Sequence, residues 1–188
     1  MHARRCFETT SAAGAAGQFD PIALGELISS RRPPEGEAAR LEQVRIYRGM
    51  PHAIRQPRAQ MAAERQIAAW SCDPRTTVIT RPLRYRRTRP PSKPQEKGID
   101  VRLAVDFVAM ALRGEYDVGV LLSHDTDLLP ALEAVLDLSP SADPQVAAWA
   151  PRTGSINRLR VSGRKVWCHY LTAADYAAVA DTRNYARV

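Results

Sequence analysis

Strands that alternate with helices predict an α/β domain with a mainly parallel central sheet. Two observations carry this. Apolar and β-branched runs near residues 44, 78, 120, 147 and 168 are separated by amphipathic segments. Val118 to Leu122 (VGVLL) is a continuous apolar run, as in a strand covered on both faces. The chain has 188 residues and is 45% apolar, which suits one domain with its own core.

Residues 1–19 are small and polar apart from Cys6 and Phe7, and read as a poorly specified N-terminal segment. Asp20 is expected to cap a helix with Pro21 at its first position and Ile22, Leu24, Leu27 and Ile28 on its apolar face. Arg31 to Glu37 is a loop. Leu41 to Arg48 reads as a strand ended by Gly49 and Pro51. Arg58 to Trp70 follows as an amphipathic helix and Thr76 to Tyr85 as a strand bent at Pro82. Ile99 to Leu112 has helical spacing and a terminating Gly114. Val118–Leu122 is the next strand. The helix Leu128–Leu138 tolerates Pro130 because it lies in the first turn. Gln145–Ala150 and Lys165–Leu171 are strands, with Arg152 to Asn157 a loop between them. The helix Thr172–Ala180, capped by Thr172, closes the pattern. The domain is therefore expected over residues 20–180, with a tail at 181–188.

Composition narrows the function classes. There are 27 Lys and Arg against 20 Asp and Glu, a net charge of +7, which suits a polyanionic partner. Seven of the basic residues fall between Arg81 and Lys97, against Glu96 alone. Pro90, Pro91 and Pro94 stiffen the second half of this arm. A solvated loop is one reading. A phosphate-tracking arm built on Arg84, Arg86, Arg87, Arg89, Lys93 and Lys97 is the other, favoured by the acidic stretch that follows it. Cys6, Cys72 and Cys168 are odd in number and widely spaced, without CxxC. They indicate neither a disulfide framework nor a zinc ribbon, and are expected to be buried small hydrophobes. A reduced, cytoplasmic setting is the expectation; no apolar run is long enough to span a membrane.

The chemistry concentrates in Glu96 to Val135. A strand running into Asp125 sets that carboxylate at the carboxyl end of the sheet, where open α/β sheets bind ligands. Asp127 opens the following helix, and Asp100 stands near the start of the preceding one. Oxygen ligands converging there suit Mg²⁺ or Mn²⁺, which can activate water at a phosphodiester. Each acid also has a purely structural reading. Asp125 and Asp100 can be helix caps, and Asp127 a first-turn acid favoured by the helix dipole. Asp106 is expected to form a solvated i,i+4 pair with Arg102. Ser123 and His124 are expected behind the acids, holding the turn or orienting water. His52 and His169 show no ligand spacing to His124.

The pieces Lys97-Gly98-Ile99-Asp100 and Ser123-His124-Asp125-Thr126-Asp127, with the helix and strand between them, resemble the NYN family of PIN-like nucleases. The resemblance implies a three-layer α/β/α fold and a Mg²⁺- or Mn²⁺-dependent ribonuclease site. It carries catalytic and metal-holding roles onto Asp100, Asp125 and Asp127. The implied partner is RNA, structured RNA included; no membrane partner is expected, and a homo-oligomer stays open. Two departures stand out. His124 occupies a place where the family commonly has glycine. Family members also begin with an apolar strand ending in a metal-binding Asp, and residues 1–19 carry no such pattern, Glu8 being their one acid. A catalytically impaired nucleic-acid-binding or protein-interaction module on the same fold is therefore the alternative.

Overall fold

The computed structural model describes residues 17–31, 39–85, 94–150 and 158–186. Among these residues five helices and five strands follow in the order α1 (Pro21–Ser29), β1 (Val44–Met50), α2 (Pro57–Trp70), β2 (Thr76–Pro82), α3 (Ile99–Leu112), β3 (Val118–Leu122), α4 (Leu129–Leu138), β4 (Asp143–Trp149), β5 (Cys168–Leu171) and α5 (Ala173–Val179). Every strand pair is parallel, in two sheets: β1–β2, and β3–β4–β5. The α/β class with parallel strands stands. Among the described residues the strands lie in two parallel sheets, and β1 and β3 each keep one edge without a strand partner. Whether residues 1–10 supply a strand lies outside the described residues.

Helix ends follow their sequence signals. The Asp20 carboxylate accepts from the N–H groups of Ile22 (2.9 Å) and Ala23 (3.1 Å). Thr172 and Asp175 form a reciprocal capping box at the start of α5. Strand ends differ more. β1 begins later than expected and runs through Gly49 to Met50, because pairing with β2 rather than local pattern sets its length. β2 stops at Pro82, which has no N–H to extend the ladder. Beyond it, Arg84 bridges back to Gln95 in antiparallel sense.

Helices cover both faces. Arg45 and Tyr47 of β1 point to α3, while Val44 packs near Gly25 of α1 and Arg48 donates to Gln66 of α2 (2.8 Å). In β4, Val146 and Ala148 join a core with Leu128, Leu132 and Val135. Ala147 and Trp149 join a second core with Leu24, Leu171 and Val179. Alternate residues of one strand thus serve opposite layers, giving the α/β/α arrangement. Trp149 lies between Phe19 (5.7 Å between ring centres) and Tyr176 (5.9 Å). Cys168 is buried as expected; Cys72 is exposed at the end of α2, its Sγ against the Ala68 carbonyl, and Cys6 lies outside the described residues.

Candidate functional site

The Lys97-Gly98-Ile99-Asp100 turn has a backbone reason. Gly98 is left-handed (φ 74°), and a Cβ there would stand 3.2 Å from the Arg81 guanidinium. Ile99, 2% exposed, anchors the start of α3 in the core, and Asp100 stands in its first turn, exposed overall but with its carboxyl partly shielded from solvent. Across from it, β3 hands over at Leu122 to the acidic loop. Ser123 Oγ accepts from the Asp125 N–H (3.1 Å), and Asp125 Oδ1 accepts from the Asp127 N–H (3.1 Å). Asp125 thereby caps the 3-10 turn Thr126–Leu128 that leads into α4, and Leu128, 1% exposed, pins that turn. Asp125, Asp127 and His124 are all exposed.

The structural readings of Asp125 and Asp127 are thus realised, yet both acids also act on Asp100. The Asp100 carboxyl is raised above its usual range, first by burial, then by the negative charges of Asp125 and Glu96, with Asp127 adding to them. Acids from two separate elements therefore share one field at the carboxyl end of β3.

Glu96 is the member that sequence reasoning missed. Its Oε1 accepts from the Gly49 N–H (2.7 Å) on the edge of β1 away from β2. Gly49 makes room for it: a Cβ there would lie 2.8 Å from Glu96 Cγ and 2.3 Å from Leu83 Cδ2. No spacing rule links residue 96 to residue 49, so only its position four residues before Asp100 hinted at it.

Asp106 corrects the expectation of a solvated pair. Arg102 Nε donates to it as foreseen (2.8 Å), but so do the Tyr47 hydroxyl (2.9 Å) and Arg45 Nη2 (3.2 Å). Its side chain is 13% exposed. Asp106 ties α3 to β1 and points away from the role of a free ligand.

The two described ends of the basic segment meet at a defined place. Arg84 and Gln95 exchange backbone hydrogen bonds of 2.8 and 2.9 Å, forming the base of the arm next to Glu96. Arg84, Tyr85, Gln95, Glu96 and Lys97 line an open cavity of about 300 Å³. Arg86, Arg87, Arg89 and Lys93 lie outside the described residues. A larger cavity of about 480 Å³, between α1 and the end of α2, is lined by Asp20, Glu26 and Asp73 and lies apart from Glu96, Asp100, Asp125 and Asp127.

Among the described residues, no three His, Cys, Asp or Glu side chains are grouped closely enough to ligate one ion directly. The electrostatic coupling of the acids and this looser spacing describe different ranges: like charges act over several ångströms, ligation needs contact. The donors are all carboxylates, which fits a hard cation such as Mg²⁺, an ion that keeps several waters and takes only one or two carboxylates.

The family model for the NYN domain matches residues 8–139, a span that contains both acidic motifs. No curated protein and no solved structure matches the chain. With parallel strands, helices on both faces and the acids gathered beyond β3, this chain belongs to the NYN domain family and has its PIN-like, nuclease-type fold.

Proposed function

We propose that the chain is a divalent-metal-dependent ribonuclease that hydrolyses phosphodiester bonds in RNA. The observation that carries this reading is the shared field of Asp100, Asp125 and Asp127, from two elements, in a chain of a nuclease-type family. These three are the catalytic and metal-holding residues, for Mg²⁺ or Mn²⁺. A divalent ion bound there supplies activation of water and neutralisation of charge on the phosphodiester. The chain's own groups do the rest. Ser123 holds the loop that presents Asp125. His124 stands exposed beside it to orient water. Arg84 and Lys97, with the arm between them, offset the repulsion between clustered carboxylates and a polyanion. Residues 20–180 form the unit that bears the site. No described helix is long and apolar enough to cross a membrane, and the reading assigns a cytoplasmic place.

One observation favours a second reading, an impaired nucleic-acid-binding or protein-interaction module: among the described residues, no three acids stand within direct ligating distance of a common point. Melting the native chain and Asp125→Asn with and without Mn²⁺, then assaying RNA cleavage by both, separates the two. At about 100 times Kd, a bound ion adds about 2.7 kcal/mol, roughly 5–10 °C in Tm for a chain of this size. The native chain should gain this and cleave RNA only with the ion; the variant should lose both. Stabilisation without cleavage supports the impaired module. Equal responses in the two proteins would remove the metal site.

A further inference from the structure

The loop between β1 and α2 folds onto Tyr85, beside Arg84, in a way that neither the acids nor the basic segment requires. The His52 carbonyl accepts from the N–H groups of Arg55 (3.1 Å) and Gln56 (2.8 Å), a tight turn. His52 Nδ1 accepts from the Ile54 N–H (3.2 Å), which fixes its ring. The Tyr85 hydroxyl locks this turn to the arm: it accepts from the His52 N–H (2.9 Å) and donates to Gln56 Oε1 (2.8 Å). The Arg55 guanidinium then lies over the Tyr85 ring at 5.0 Å, and the His52 ring meets the same tyrosine edge-on at 6.3 Å.

A guanidinium is planar and has two faces. Arg55 is held against the Tyr85 ring and is itself exposed, so its guanidinium stays open to solvent. Beside it Ile54 is 86% exposed. Tyr85 also lines the cavity of about 300 Å³ that contains Glu96 and Lys97, and Glu96 acts on Asp100. A planar cation held on an aromatic ring therefore stands beside the cavity that contains Glu96 and Lys97.

We propose that Arg55, supported by Tyr85 and His52, is a stacking platform for one unpaired nucleobase of a single-stranded RNA whose backbone passes Arg84 and Lys97 towards Asp100. The proposal rests on the ribonuclease reading and adds to it a preference for unpaired over duplex substrate. Unstacked bases are held in this way on aromatic rings and arginine planes, which tolerate any base. A base inside a duplex has no free face to offer. The surrounding positive charge of Arg55, Arg84 and Lys97 complements the phosphates on either side of it.

The test measures binding of a short oligoadenylate, and of an abasic ribose-phosphate oligomer of equal length, without divalent ion. Arg55→Ala should weaken oligoadenylate binding about five- to tenfold. Arg55→Lys keeps the charge and loses the plane, so it should lose most of the same affinity with an unchanged salt dependence and leave abasic binding as it was. Position 55 is exposed, so both variants should melt as the native chain does. Unchanged oligoadenylate affinity in both variants overturns the platform. An equal loss on the abasic oligomer also overturns it, since the contact would then be a point charge on phosphate. A separate Mn²⁺-dependent cleavage assay of the same oligoadenylate tests the underlying reading. Base-dependent binding without cleavage supports the platform and overturns the ribonuclease; cleavage with indifferent Arg55 variants overturns the platform alone.

Discussion

The two sheets are held by different physics. In β3–β4–β5, six of the seven β4 residues are buried; Val146 and Leu171 of the sheet, and Leu132 and Val135 of α4 packed on it, are fully enclosed. In β1–β2, a single residue of fourteen, Gly49, is buried. That sheet depends instead on polar ties: Asp106 to Arg45 and Tyr47, Arg48 to Gln66, and Glu96 to Gly49. The candidate site draws on both. Asp125 and Asp127 rise from the apolar half, and Glu96 leans on the polar half. Apolar packing is non-directional and sets where the acidic loop sits. Hydrogen bonds are directional and set how Glu96 and α3 are turned towards it.

The comparison is tested most severely by deletion in the apolar half. Leu132→Ala removes a side chain with 0% exposure in the middle of the larger core. It should cost about 2–5 kcal/mol in denaturant unfolding, whereas Ile79→Ala in the half-buried β2 should cost about 1 kcal/mol. Equal losses would mean that the two sheets share one core.

The polar half is probed by Asp106→Asn. Burial pushes the Asp106 carboxyl up, but the bonds from Arg102, Tyr47 and Arg45 outweigh it and hold the group below its usual range. A carboxylate whose folded pKa is depressed stabilises above its unfolded value, near 3.9, and that stability is lost as pH falls through the folded value. The variant should therefore lose about 2 kcal/mol at neutral pH and show a shallower decline of stability in acid. An acid profile parallel to that of the native chain would count against the triple tie.

A smaller effect exposes the polar exception inside the apolar half. His169 is 5% exposed, with a ring nitrogen 2.6 Å from Gln145 Oε1, and Gln145 Nε2 donates to Asp143 at 2.6 Å. Burial lowers the His169 pKa, the positive Arg31 lowers it further, and Asp143 opposes both. A lowered histidine favours the fold when neutral. Stability should then fall as pH drops below the unfolded value of about 6.5, by at most about 1.4 kcal/mol per pH unit. His169→Gln should flatten that part of the profile; an unaltered slope would assign the titration elsewhere.

Much of this was readable beforehand where the signal is local. The bounds of α3 and β3 emerge as expected because a 3.6-residue apolar period and a five-residue apolar run depend only on neighbouring residues. Asp20 and Thr172 cap as their residue types predict. Strand ends shifted by two or three residues, since pairing partners distant in sequence decide them. Asp106 was misjudged for the same reason: Arg102 is visible at i,i+4, while Tyr47 and Arg45 lie about sixty residues away. The charges of Asp125 and Glu96 both act on Asp100; two motifs point to the first, and no local signal points to the second.

By itself, the sequence determined the α/β class, the helices and their caps, and which two short motifs bear the acids, because period, residue type and backbone preference are written locally. The tertiary structure alone decided that Glu96 reaches Gly49, that Asp106 is a tie rather than a surface pair, and that Arg55 lies on Tyr85. Those contacts join residues 30 to 61 positions apart, and at such separation folding, not local propensity, chooses the neighbour.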